Sequence, residues 1–318
     1  MALVLREDDV ARLVGMPEAL AAVERCFGEA NAGTAQVIPR GRAMLPHGVL
    51  HLMGGALEGE GVCGLKTYTA TARGVRFLVV LFSAESGELL ALIEADLLGR
   101  LRTGAASGVA TRHLARPDAQ VVGLYGTGGQ APTQLRAVRA VRPIERALVA
   151  GRDAAKLRAF CAAMSRELDL PVEPATPQRV AGEADVVVTI TSAREPVLRG
   201  EWLRPGAHVN AAGSNWADRR EVDTATVERS AVVAVDSLEQ AARESGDLLI
   251  PAQEGRFTMS RAVELAAVIG GRAQGRSSAD QITLYKSNGI ATQDLALAAE
   301  VYRRAHAEGA GTGLDLLP

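Results

Sequence analysis

The segment V-V-G-L-Y-G-T-G-G-Q-A, residues 121–131, limits the fold of this chain more than any other stretch. A short apolar strand pattern runs into Gly126, Gly128 and Gly129, and a helix-forming stretch follows at once. Glycine permits the sharp turn, and its missing side chain lets backbone N–H groups reach a pyrophosphate. The helix N-terminus beyond it favours negative charge. Gln130 and Ala131 follow where a G-x-G-x-x-G pattern is completed. A lone glycine pattern is weak evidence, but here the strand before, the helix after and the next strand all have sequence support. Gly126, Thr127, Gly128, Gly129 and Gln130 are therefore expected to cradle a dinucleotide, in keeping with a nicotinamide cofactor.

After the breaker R-P-D at 116–118 the chain alternates between two periodicities. Strand patterns at 120–125, 146–149, 184–189, 208–212 and 230–235 are interleaved with helical ones at 130–140 and 153–168. This cadence argues for a Rossmann-type, doubly wound parallel sheet. Before the breaker, Leu20, Val23 and Phe27 set a helix over 16–30, and strands are expected at 49–53, 61–69, 76–82 and 88–93. A helix over 94–114 contains Gly104 and Gly108, which cost helix propensity and so point to close packing or a ligand approach. Further helices are expected near 259–269 and 292–307. The chain has 318 residues, long enough for two domains. The expected fold class is α/β, with a dinucleotide-binding Rossmann domain over 118–285 and a second α/β domain built from 1–117 with 286–318.

Hydrophobic residues make up 47% of the chain, enough for a sizeable core, and the formal charge of -2 rules out a disordered, self-repelling chain. Lys+Arg 35 against Asp+Glu 37 leaves no basic footprint for nucleic acid. Cys26, Cys63 and Cys161 are far apart and form no C-x-x-C pair, so neither a disulfide framework nor a zinc site is expected. His47, His51, His113, His208 and His306 show no metal-ligand spacing. Acidic residues occur by position 7, and no apolar run approaches the ~20 residues of a membrane helix. A cytoplasmic protein without a signal peptide is the expectation.

The end of the second strand in such a fold meets the adenosine ribose. An acid there accepts bonds from free ribose hydroxyls, whereas an arginine suits a 2′-phosphate. This chain carries A-G-R-D at 150–153, with Gly151 at the strand tip and Arg152 next. NADP(H) is thereby favoured over NAD(H). Asp153 leaves two alternatives open, a cap for the following helix or a turn toward an NAD ribose, and Arg152 also fits an ordinary solvated residue. Thr189, Thr191 and Ser192 end a later strand on the dinucleotide side, where hydroxyls can meet ribose or nicotinamide.

Several segments carry a resemblance to a known family: G-L-K at 64–66, R-T-G-A-A-S at 102–107, G-T-G-G-Q-A at 126–131 and Y-K-S-N-G-I-A-T-Q-D at 285–294. With the stretches at 195–210 and 235–247 they span nearly the whole chain. Together they resemble the ornithine cyclodeaminase/mu-crystallin family, which includes alanine dehydrogenases and cyclic ketimine reductases. The resemblance implies a homodimer built from the non-Rossmann domain and a small imino- or amino-acid substrate held between the domains beside the nicotinamide. It implies that Arg42 and Arg102 hold the substrate carboxylate and that Lys66 faces the substrate nitrogen. Thr103 is a further cofactor candidate, and K-S-N-G at 286–289 is expected to form a loop from the second domain, with Ser287 the better cofactor candidate and Lys286 facing a crevice wall as its alternative.

The residue chemistry agrees. An arginine fork matches a carboxylate, and Arg102 stands beside Gly104 and Ala105, where a ligand can approach. Arg40 lies two residues from Arg42 and can point the same way; only the R-x-x-x-P spacing selects Arg42. Lys66 lies in the apolar strand G-V-C-G-L-K-T-Y, where burial would ease proton exchange near neutral pH. Snorkelling to solvent is its alternative. Where cyclodeaminases of the family carry an aspartate in a G-A-D-S type loop, this chain has Asn215, which orients a substrate but cannot act as a base. Asp218 and Glu221 are substitute acids, solvated loop charges or partners of Arg220. Reduction of a preformed imine, such as pyrroline- or piperideine-2-carboxylate, is thus expected over oxidative deamination. A cyclodeaminase-type lyase, an amino-acid dehydrogenase and a non-enzymatic binding protein are the alternatives.

Overall fold

A computed structural model describes residues 2–316. The first stretch of chain forms β1 (Ala2–Leu5), α1 (Glu7–Leu13), α2 (Met16–Ala32), β2 (Ala35–Leu45), β3 (Gly48–Leu57), β4 (Val62–Thr71), β5 (Gly74–Ser83), β6 (Leu89–Glu94) and α3 (Asp96–Leu114). Next come β7 (Val121–Tyr125), α4 (Ala131–Val141), β8 (Arg146–Ala150), α5 (Ala154–Leu168), β9 (Val172–Pro174), α6 (Pro177–Glu183), β10 (Val186–Thr189) and β11 (His208–Ala211). The remainder is α7 (Thr224–Arg229), β12 (Ser230–Val235), α8 (Leu238–Glu244), α9 (Gly246–Gln253), β13 (Ala262–Glu264), α10 (Leu265–Ile269), β14 (Ile282–Lys286), α11 (Ala291–Glu308) and β15 (Thr312–Leu314). Two compact units result: one from the chain up to Arg102 together with the chain from Ile290 onward, the other Thr103–Gly289. Among the described residues no helix is long and apolar enough to cross a membrane.

The first unit holds a mixed sheet in the order β15-β1-β6-β5-β4-β3-β2. Strands β2 to β6 pair antiparallel in sequence order, while β1 joins β6 in parallel. Alternation puts Gly64, Lys66 and Tyr68 of β4 on one face, opposite Gly55, Met53 and His51 of β3. The glycine pair lets α11 lie close on this face. A Cβ on Gly55 would come within 2.8 Å of Thr292, and one on Gly64 within 3.1 Å of Leu295. The helix is thereby delivered with its N-terminal turn over the centre of the sheet.

The second unit is a wholly parallel sheet in the order β13-β12-β14-β11-β10-β7-β8-β9. Its strands are continuous apolar runs because both faces are covered. Val186 and Val188 pack with Leu135 and Met164 on one side, and Val187 packs with Val180 and Leu248 on the other. From β7 the chain proceeds outward through β8 and β9, then returns to place β10 on the other flank. The switch in strand order therefore falls between β7 and β10, the place where open α/β sheets bind ligands at their carboxyl ends.

Four features differ from the expectations. The helix α1 follows β1 directly, where no helix was expected. The apolar run near 259–269 splits into β13 and the short helix α10, because Ala262–Glu264 pair with Val233–Val235 of β12 and this contact overrides the helical pattern. Lys286 closes β14, a strand between β11 and β12, so K-S-N-G is the last residue of that strand and the loop after it, and it belongs to the second unit and not the first. The division between units also falls inside α3, at Arg102 and Thr103, instead of at the 116–118 breaker. The later half of α3 is held in the second unit: Arg142 donates to the carbonyls of Thr111, Arg112 and Ala115, and Asn210 Nδ2 donates to Thr111 Oγ1.

Candidate active site

In the second unit the end of β7 turns on Gly126, whose φ of +109° suits glycine alone. A Cβ there would stand 2.5 Å from the Ile190 carbonyl. Both requirements bring the β7 and β10 termini together at the strand-order switch. Helix α4 starts at Ala131, with Gln130 at its N-cap and Thr133 Oγ1 donating back to the Gln130 carbonyl. The result is a cavity of about 740 Å³ lined by Gly126, Thr127, Gly128, Gly151, Arg152, Asp153, Thr191 and Ser192, among others. The backbone of Gly126 and Gly128 ahead of the α4 N-terminus fits a pyrophosphate, and the lining draws on the ends of β7, β8 and β10, where such sheets take a dinucleotide.

Asp153 caps α5, with Oδ1 accepting from both Ala155 N and Lys156 N, and these bonds hold its carboxyl below the usual range. Neither bond uses Oδ2. Arg152 is exposed beside it. Of the other expected cofactor residues, Gly129 lies in the turn, and Thr103 is buried in α3 of the second unit. Thr189 and Ser287 have their hydroxyls engaged inside the fold. Thr189 is fully buried and its hydroxyl donates to Glu221 Oε2 at 3.0 Å. Ser287 is buried with its hydroxyl donating to Asp236 Oδ2 at 3.1 Å; the same oxygen accepts Asn288 N and Gly289 N. Their hydroxyls serve the fold, because each lies beside a carboxylate inside it.

Glu221 is neither solvated nor a ready acid. It is fully buried and accepts Thr191 N at 2.6 Å, Thr191 Oγ1 at 2.7 Å, Gly213 N at 2.6 Å and the Thr189 hydroxyl. Burial, and then the neighbouring Asp247, push its carboxyl up. Asp247 in turn accepts Glu221 N and lies 3.1 Å from Lys286 Nζ, which donates to the Ser214 carbonyl at 2.6 Å. This buried chain ties the ends of β10, β11 and β14 together behind the cavity wall at Thr191. Asp218 is solvent-exposed beside Arg219, and Asn215 lies half-buried in the loop after β11.

In the first unit Lys66 is buried, not snorkelling. Its Nζ donates to Asp294 Oδ1 at 2.6 Å and lies 5.1 Å from the centre of the Phe77 ring. Arg102 Nε donates to the same Oδ1 at 3.1 Å, and its Nη1 donates to Gln293 Oε1 at 3.1 Å. Burial drives the Lys66 ammonium down to about 8, with Asp294 opposing the shift and the Arg102 and Arg40 charges adding to it. Gly99 of α3 keeps the space open, since a Cβ there would sit 3.0 Å from Lys66 Nζ.

Strand β2 carries one extra residue between its pairings Ile38↔Gly54 and Gly41↔Leu52. This bulge re-aims the strand at Pro39 and Arg40. Arg40 is buried, more so than Arg42, and both arginine charges help push His51 down to about 4 after burial, the larger cause. His51 stacks on Tyr68 with ring centres 4.2 Å apart. Sequence reasoning set Arg40 aside and gave no role to His51, Gln293 or Asp294. The signal available was the polar triplet Thr292–Gln293–Asp294 just before the apolar run Leu295–Ala299, which reads as a solvated helix start until it proves wholly buried.

The model of the ornithine cyclodeaminase/mu-crystallin family matches residues 1–309. The chain belongs to this family. A Delta(1)-pyrroline-2-carboxylate reductase of Bacillus cereus is 34% identical over 98% of this chain and 99% of that protein. The Thermococcus litoralis Delta(1)-pyrroline-2-carboxylate reductase, solved with NADH and L-proline, superposes with a TM-score of 0.94 at 36% identity, covering 98% of this chain and 100% of that one. An archaeal alanine dehydrogenase dimer with bound NAD gives 0.93 at 31% identity, covering 99% of each. These relatives carry NADH and NAD, so the preference for NADP(H) drawn from Arg152 does not stand. Arg152 and Asp153 both line the cavity and are both exposed, and Asp153 Oδ2 takes no part in the helix cap.

Proposed function

We infer that this protein is an NADH-dependent reductase of the C=N bond of a small cyclic ketimine carboxylate, with Δ1-pyrroline-2-carboxylate the favoured substrate. The observation that carries the reading is the buried Lys66–Asp294–Arg102 cluster, a proton source beside a carboxylate-binding fork, in a family member similar from end to end to pyrroline-2-carboxylate reductases. Bound NADH supplies a hydride to the substrate α-carbon; Asp153, the glycine turn and the α4 N-terminus would hold the cofactor. The chain's own residues handle the rest. Arg102, with Arg42 and the neighbouring Arg40, anchors the carboxylate, and the Lys66 ammonium gives its proton to the ring nitrogen as the C=N bond becomes a single bond. The proton is regained from solvent, and the product is the cyclic amino acid. Asn215 orients substrate or water without acting as a base. Cyclodeamination asks for amine oxidation as well, and Asn215 cannot supply the base that step needs.

The same reading carries a homodimer and a cytoplasmic setting where NADH is available. Supporting the dimer, Ile38 and Leu52 are 63% and 48% exposed on the sheet face turned away from Lys66, with Ile38 on the edge strand β2. Sedimentation equilibrium on the wild type and on Leu52→Asp tests it; a wild-type monomer overturns it.

The decisive assay follows reduced-cofactor absorbance with purified protein, NADH and Δ1-pyrroline- or Δ1-piperideine-2-carboxylate. Consumption with either supports the reading. No consumption, together with ammonia and proline release from ornithine under catalytic NAD+, overturns it. Similarity to alanine dehydrogenase of Archaeoglobus fulgidus, 34% identical over 98% of this chain, supports a second reading as an amino-acid dehydrogenase. Faster NADH oxidation with pyruvate and ammonia than with either ketimine would favour it.

A further inference from the structure

Asp294 stands at the one point where Lys66 and Arg102 meet. Its Oδ1 accepts both Lys66 Nζ and Arg102 Nε, and its Oδ2 is buried with no hydrogen bond among the described residues. The side chain is 0% exposed, on the first turn of α11, which the Gly55 and Gly64 pair admits onto the sheet. A carboxylate with this little solvation is costly unless its charge is matched, and two cations on one oxygen match it. The groups around Lys66 are Arg102 and Gly99 from α3, Arg40 from β2, Met53 from β3, Phe77 and Val79 from β5, and Gln293 and Asp294 from α11. Asp294 is the only anion among them. Every other charge there opposes a proton on Lys66.

We propose that Asp294 is the positioning residue of the reaction: it fixes the Lys66 ammonium and the Arg102 fork side by side and keeps Lys66 charged inside an apolar sheet. The proposal rests on the ketimine reductase reading, in which Lys66 gives a proton to the substrate nitrogen. Arg102 spends Nε on Asp294 and Nη1 on Gln293, which orients its remaining Nη2 as the carboxylate-binding arm. The sign of the effect follows. Asp294 raises the affinity of Lys66 for its proton against burial, so removing the charge lets Lys66 lose that proton at lower pH.

The chain holds three lysines, Lys66, Lys156 and Lys286, so lysine labelled at the ε-nitrogen yields three resonances, and Lys66→Arg identifies the relevant one. In Asp294→Asn the Lys66 titration midpoint should fall by at least one pH unit, and the alkaline limb of kcat/KM for ketimine reduction should move down with it. KM for NADH should stay within about twofold, since NADH is held in the second unit. A midpoint and limb that do not move overturn the proposal, even if turnover drops. If Asp294→Asn does not fold, Asp294→Glu decides. Its longer side chain keeps the charge but displaces both cations, so kcat should fall at least tenfold with the limb in place, and wild-type kcat overturns the positioning role. The titration needs no substrate. A shifted midpoint in a protein that reduces no ketimine would therefore overturn the functional reading and uphold the coupling of Asp294 to Lys66.

Discussion

Lys66 Nζ donates to Asp294 Oδ1 across 2.6 Å, although 228 positions of sequence separate the two residues. The pair joins a strand at the start of the chain to the last long helix, and both side chains are sealed from water. If Lys66 is the proton donor, Lys66→Met should lower kcat for ketimine reduction by about 10²- to 10⁴-fold, the usual worth of a positioned acid. NADH affinity, read by quenching of protein fluorescence, should be unchanged. Wild-type turnover in this variant would remove the proton role.

The same burial sets a pH dependence. Lys66 is protonated below about 8, so kcat/KM for imine reduction should hold below that pH and fall tenfold per unit above it. The reverse reaction, amino-acid oxidation, needs the neutral amine and should rise over the same interval. A reduction profile still flat at pH 10 would show that another group supplies the proton.

Arg102→Lys keeps the charge but loses the fork. With one nitrogen in place of three spread over a planar fork it cannot hold Asp294, Gln293 and a substrate carboxylate together. KM for the ketimine should rise about tenfold or more, with KM for NADH little changed. An unaltered ketimine KM would move the carboxylate contact to Arg40 and Arg42.

Asp153→Ser separates the helix-capping role of this side chain from the ribose contact proposed for it. Serine is also a good N-cap, so α5 and the melting temperature should be retained. The carboxylate is lost, so KM for NADH should rise roughly tenfold if it accepts from the ribose hydroxyls. An unchanged KM would confine Asp153 to its capping role.

Glu221→Ala tests the buried scaffold behind the cavity. It leaves the donors at Thr189, Thr191 and Gly213 without their acceptor. Unsatisfied buried groups cost about 1–3 kcal/mol each, so denaturant unfolding should show a loss of about 3 kcal/mol or more. Loss below about 1 kcal/mol would mean that water replaces the carboxylate readily.

The dinucleotide half of the molecule was legible because its signals are local. Gly126 needs a positive φ, the β7 run is apolar because both faces of a parallel sheet are covered, and α4 starts where the glycines end. Lys66 and Arg102 also stood out, each as a charge amid small or apolar neighbours. The misses have physical causes. Ala262–Glu264 carries a pattern that suits either period, and only pairing with β12 decided it. Arg152 advertised a phosphate site through its charge, yet the cavity's acid is the adjacent Asp153, and the relatives carry NADH and NAD.

By itself, then, the order of residues determined the strand–helix cadence around the glycine cradle and which family the chain resembles, since these depend on neighbours in sequence. Only the tertiary structure decided which charges share an environment. The β2 bulge brings Arg40 into the electrostatic surroundings of Lys66 and His51, and the Gly55 and Gly64 pair lets α11 set Asp294 against Lys66. Glu221 changed from a candidate acid into a structural carboxylate for the same reason: burial and four donors from distant strands and loops gave it its role. A charged side chain takes its chemistry from what excludes its water and from what pairs with it, and both come from parts of the chain far away in sequence.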